Sequence, residues 1–140
     1  MQLNMSKSNN LKPIFFLCLL IIGWVIATLI ESSGPSLPLL NKAPHLDKVA
    51  HFLAFSGLGL LTCALAFKLS PTPAIPLLSI PLLMVTLFGI IDEAFQMLIP
   101  GRQADLLDLL ADICGAIFAI FLANLIARLL RTNKPVKEPA

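Results

Sequence analysis

The sequence predicts an all-α integral membrane protein: a bundle of four transmembrane helices with both termini in the cytoplasm. Three observations lead there. Hydrophobic residues make up 57% of the chain and charged residues only 13%, where an ordinary soluble domain carries about 25% charged residues. The apolar residues gather in four runs, each long enough to cross the hydrocarbon core of a bilayer. The basic residues divide unequally between the two sides that those runs define. A chain of 140 residues makes at most one domain, and small domains bury a smaller share of their surface. Lipid therefore has to solvate most of this material.

The elements follow in order. Residues 1–12 are polar, carry Lys7 and Lys12, and are expected to form a cytoplasmic tail. Residues 13–30 give 18 positions without a charge, near the lower limit for a span. A cleaved signal peptide shares the basic start, but this run exceeds the usual apolar region and no small-x-small cleavage site follows. It is read as the first helix. Residues 31–46 are rich in Ser and Pro and read as a loop, whose Leu37, Leu39 and Leu40 suit the membrane surface. The second helix is expected at 47–67, closed by Lys68 and the Ser-Pro-Thr-Pro that follows. The third is expected at 74–99, with Pro76 and Pro81 restricting or kinking its early turns. From Pro81 to Ile99 it still spans about 28 Å. Pro100-Gly101 reads as a tight turn, and the fourth helix follows at 105–130. The four-helix domain thus covers 13–131, and 132–140 form a second cytoplasmic tail.

Orientation rests on the basic residues. Lys7, Lys12, Lys68, Arg128, Arg131, Lys134 and Lys137 fall on one side, and Lys42, Lys48 and Arg102 on the other, a division of seven to three. The positive-inside rule places the first side in the cytoplasm. Net charge is only +2, and no basic run is interleaved with aromatics, so nucleic acid is not expected as a partner. Cys18, Cys63 and Cys114 lie inside apolar runs and read as buried small hydrophobes rather than disulfides or metal ligands.

This topology brings distant polar residues to one depth. Seven of the eight acidic residues, all but Glu138, and both histidines fall in the outer half. Asp47 and His51 are four residues apart and share a helix face. So do Asp92 and Gln96, and Glu93 lies three before Gln96. Asp105, Asp108 and Asp112 follow an i, i+3, i+7 pattern on a third face. An ionised side chain facing lipid is costly, and such residues usually mark function. The expected object is a polar pocket open to the outside. Simpler roles exist for several members. Asp47 can cap the second helix with Leu46 as its staple, and Asp105 with Asp108 resembles a capping pair for the fourth. His45 reads as a solvated loop residue, Glu31 as the end of the first helix, and Gln96 as interhelical hydrogen-bond glue.

These residues also carry a resemblance. The strings D-K-V-A-H-F-L-A-F-S-G-L-G at 47–59, G-I-I-D-E-A-F-Q-M-L-I-P-G-R at 89–102 and D-L-L-A-D-I-C-G at 108–115 resemble the core of the VanZ-like family. The likeness covers about residues 35–125, and the spaced combination is far more specific than any one piece. It implies a small multi-pass protein of the bacterial inner membrane. The family's founding member is associated with low-level resistance to the glycopeptide teicoplanin. It further implies membrane lipids, or a lipid-linked envelope precursor, as partners. Carried over by motif, the candidates are Asp47, His51, Asp92, Glu93, Gln96, Arg102 and Asp108. Asp112 departs from the pattern, since the family usually has Asn there.

Two functions of different class compete. In the first, the protein is an enzyme acting on a lipid head group. His51 serves as base or nucleophile, with Asp92, Glu93 and Asp108 as its catalytic partners, while Asp47, Gln96, Arg102 and Asp112 bind substrate. Arg102 would grip a phosphate through its planar fork. No cofactor is expected: the chain has no compact ligand motif such as H-E-x-x-H, so a divalent cation ranks below metal-free chemistry. In the second, the pocket binds an envelope lipid or glycopeptide, or stabilises a partner membrane protein, without catalysis. Transport ranks last, because the acidic residues stop at the outer half and no relay continues inward.

Overall fold

The structure is a computed structural model describing the backbone of residues 2–34, 45–70 and 75–132, and the side chains of 11–34, 45–70 and 79–130. It holds α1 (Gln2–Ser33), α2 (Leu46–Leu69), α3 (Ile75–Gln96) and α4 (Leu106–Thr132), with no strand among the described residues. Each helix contains a stretch long and apolar enough to cross a membrane: Leu11–Ser33, Leu46–Leu69, Ser79–Gln96 and Leu106–Leu130. The chain is a four-helix, multi-pass membrane protein. Its outward face is what a bilayer would cover, with Phe15, Ile22, Leu53, Leu83, Phe121 and Leu129 among the exposed side chains.

The helix ends differ from the sequence reading in instructive ways. Residues 2–12, expected as a tail, continue α1 in helical form, and Pro13 stands inside it. Hydropathy marks where a helix meets lipid, not where it starts. α1 also runs on through Glu31 to Ser33. α2 begins at Leu46, so Asp47 lies inside its first turn and the cap position falls to His45, which is exposed, left-handed (φ 66) and makes no side-chain cap bond. α3 stops at Gln96, three residues before the expected end. Leu98 and Ile99 form tighter turns by donating to Phe95 O and Gln96 O at 3.0 Å each. A Pro100-Gly101 turn follows, in which Arg102 N donates to Ile99 O at 3.1 Å and Gly101 adopts φ 84, the conformation that a type II turn reserves for glycine. Pro76 and Pro81 both fall within α3, which continues through them. The loop leucines Leu37, Leu39 and Leu40 lie outside the described residues.

α2 and α4 form the most extensive contact of the bundle. Helices in lipid gain nothing from hydrophobic exclusion and associate by close packing of small residues. Here a Cβ on Gly115 would lie 2.5 Å from Phe52 O and 3.0 Å from Ser56 N, and one on Gly59 would lie 2.6 Å from the Ala119 methyl. The buried core is Phe55, Leu58, Val85 and Ala116, flanked by Ile21, Val25, Ala54, Leu82 and Phe88. Among the described residues, α1 packs on α2 and α3 but not on α4. Trp24 anchors it, donating from Nε1 to Ala54 O at 3.0 Å while its ring covers Gly57. All three cysteines are free; Cys63 is buried and Cys18 half-buried, but Cys114 is exposed. The expectation that all three were buried fails at Cys114, because an apolar run has an outward face that lipid, not protein, covers.

Candidate functional site

The C-terminal ends of α1 and α3 and the N-terminal ends of α2 and α4 meet at one end of the bundle. They enclose a polar pocket of about 220 Å³, lined by Glu31, Ser32, Asp47, His51, Gln96, Arg102, Asp105 and Asp108 among others.

Its first wall is built around Lys48. A cation in the first turn of a helix opposes the helix dipole and needs compensation. Lys48 Nζ donates to Asp47 Oδ2 at 2.9 Å, to Asp105 Oδ2 at 2.5 Å and to Asp108 Oδ1 at 2.8 Å. An ammonium has three donors, and all three are spent. α2 is thereby tied to α4. Asp105 also caps α4, accepting from Leu107 N at 2.8 Å, as its spacing foretold. Its own backbone N–H donates to Glu93 Oε2 at 2.8 Å, which fastens the end of α3. Asp105 stands just ahead of the spanning segment, and the Lys48 hydrogen bond, aided by the Leu107 N–H, holds its carboxyl below the usual range.

The second wall carries His51. Its Nδ1 lies 3.0 Å from Asp112 Oδ1, and its ring stacks on Phe55 at a centroid distance of 6.2 Å. Asp112 is fully buried, at 0% exposure. Across the pocket, Arg102 Nη1 donates to Ser32 O at 2.8 Å. Ser32 Oγ donates to Asp92 Oδ2 at 2.9 Å, and Gln96 Nε2 approaches the same oxygen at 3.4 Å, longer than an ordinary bond of this type. Asp92 and Glu93 are 1% and 6% exposed. Asp92 Oδ1, Glu93 Oε1 and Asp112 Oδ2 are buried without a hydrogen-bond partner among the described residues.

Of the eight candidates, Asp47, His51, Gln96, Arg102 and Asp108 line the pocket. Asp92 lines a small adjoining cavity with Glu31, Ser32 and His51. Glu93 and Asp112 sit behind the wall. The partner that His51 touches is thus Asp112, which the sequence reading assigned to substrate. Gln96, read as interhelical glue, turns back to Asp92 on its own helix. Among the polar lining residues, Glu31, Ser32 and Gln103 were not read as members of the site, nor was Lys48, which binds three carboxylates of the wall. Lys48 was counted as a topological charge and as part of the D-K-V-A-H string but given no role in the site, although a cation in a first turn was the available signal. Ser32 and Glu31 were taken for the end of the first helix and the loop beyond it.

Neither the curated proteins nor the solved structures offer a match to the chain. The sequence profile of the VanZ/LLP1 family matches residues 3–128. That span runs through all four helices and takes in every pocket residue named above. With this coverage, the four-helix membrane bundle belongs to the VanZ/LLP1 family.

Proposed function

We propose that the protein sits in the inner membrane of a bacterial cell envelope, with its pocket open to the outer face. There it takes the phosphate-bearing head group of an envelope lipid or a lipid-linked precursor. The observation that carries this reading is the pair formed by His51 on the pocket wall and Asp112 behind it. If Nδ1–H donates to the buried carboxylate, the lone pair resides on Nε2. An oriented imidazole of this kind can take the proton of an attacking hydroxyl or water, which makes the protein a head-group transferase or hydrolase. Arg102, with one nitrogen on Ser32 O and further donors in its planar fork, suits a phosphate. Lys48 does not, since its donors are spent. Asp108, bound to Lys48, holds the wall in place rather than moving protons. The relation to glycopeptide resistance belongs to this same reading, as a consequence of altered envelope lipid.

The test replaces His51 and Arg102 and follows both protein abundance in the membrane and envelope-lipid composition. His51→Gln keeps size and polarity but cannot cycle a proton near neutral pH. It is expected to accumulate normally and to lose on the order of 10²–10⁴ in rate, abolishing the lipid change. Arg102→Lys is expected to impair it, because an ammonium lacks the two-bond grip. An unaltered lipid profile in His51→Gln at normal abundance would overturn the catalytic reading in favour of a pocket that only binds.

A further inference from the structure

We propose that His51, Glu93 and Asp112 hold a divalent cation of the zinc or manganese kind. One donor atom from each lies within 4.8 Å of the other two. The three come from α2, α3 and α4, so no compact motif announces them. Ligands of a first-row cation stand about 2.0–2.2 Å from it, which in a tetrahedral arrangement puts pairs of them about 3.3–3.6 Å apart. Closing the cluster draws its widest pair together by up to about 1.5 Å, within reach of side-chain rotation in the two carboxylates.

Independent of that geometry, Glu93 Oε1 and Asp112 Oδ2 are buried and lack hydrogen-bond partners among the described residues. A buried carboxylate oxygen without a partner is costly, and a cation satisfies both at once. Charge points the same way. Among the described residues, seven carboxylates gather at this end of the bundle, opposed by Lys48, Arg102 and whatever charge His45 and His51 carry. Lys48 is bound to the three carboxylates of the other wall, so it does not neutralise this group. The donor set selects the metal: one imidazole with two carboxylates suits zinc or manganese. Calcium takes six to eight oxygens, and magnesium prefers to keep its waters. Glu93 is already oriented, its other oxygen accepting Asp105 N–H, the type of outer support that ligating carboxylates use. His51 lines the pocket, which gives the ion a way in.

The site stands apart from the catalytic reading above. An imidazole that ligates a cation has no lone pair left for a substrate proton, so the two roles exclude each other. The experiment therefore reads metal and not activity. Protein purified in detergent is stripped with a chelator, exposed to Zn2+ or Mn2+, and washed, and the retained metal is counted. About one equivalent per chain is expected, with a raised unfolding temperature because the ion links three helices. Asp112→Asn and Glu93→Gln, which keep side-chain size, are expected to weaken binding at least tenfold, while Cys114→Ala, which removes an exposed thiol, leaves it unchanged. On wild-type protein, Zn2+ is expected to shift the ring-nitrogen resonances of His51 and leave those of His45 in place, which decides the matter even if a variant fails to fold. No retained metal, retention unaffected by Asp112→Asn and Glu93→Gln, or a shift confined to His45 overturns the site. Each leaves the metal-free reading of His51 standing.

Discussion

Asp105 puts its two carboxylate oxygens to different uses, one on Leu107 N and one on Lys48. The substitutions Asn and Ala separate them. Asp105→Asn keeps a competent cap and gives up an ion pair whose acid is 42% exposed, which costs about 0–1 kcal/mol. Asp105→Ala loses the cap as well, for about 1 kcal/mol more. Thermal unfolding in detergent should rank wild type, Asn and Ala in that order, and an equal loss in both variants would remove the capping role. The sign of the pH effect follows from the lowered carboxyl of Asp105. Its contribution is complete above about pH 4, the unfolded value, and fades as pH falls through the lower folded one. At this scale the sequence revealed depth but not direction. Helical spacing placed His51, Asp92 and Asp112 at one level, yet the choice of Asp112 as partner depends on how α2 and α4 are rotated about their axes. No periodicity within one helix contains that angle.

Among the elements, the α2–α4 seam sets how closely the site can assemble. Gly115 sits three residues after Asp112 and packs on the carbonyl of Phe52, the neighbour of His51. Gly115→Ala has to push backbone away from backbone. Overpacking of this sort typically costs about 1–3 kcal/mol, and here it should also lengthen the His51–Asp112 pair. The expected outcome is a lowered unfolding temperature together with a changed pH titration of the His51 ring resonances. A variant with native values for both would show that the seam is slack. The spans themselves were legible because lipid demands long apolar runs. Their packing faces were not, because core and lipid sides of such a run are equally apolar: Phe55 is buried and Leu53 exposed, two residues apart.

For the molecule as a whole, orientation is the property on which the pocket's role depends. The division of basic residues predicts that the pocket faces outside. A reporter fused after Ala140 should be active in the cytoplasm. Gln103→Cys, at the pocket rim in a chain with Cys18, Cys63 and Cys114 replaced, should react in intact cells with a maleimide that cannot cross membranes. Labelling only after permeabilisation would invert the topology and turn the pocket toward the cytoplasm. The four ends that build the pocket follow from an antiparallel order of spans and were readable from the sequence. The ties that hold them, from Lys48 and from Arg102, were not, because each links residues 57 to 70 positions apart.

Trp24 is the chain's single tryptophan, and the chain contains no tyrosine. The indole lies in the seam between α1 and α2, with its N–H on Ala54 O and its ring over Gly57. Ultraviolet emission from this protein is therefore a private gauge of one joint. It reports whether α1 is seated on α2, and it is nearly blind to the α2–α4 seam on the far side. Any ligand or lipid that loosens the first helix from α2 announces itself in the colour of that one fluorophore, with no label added.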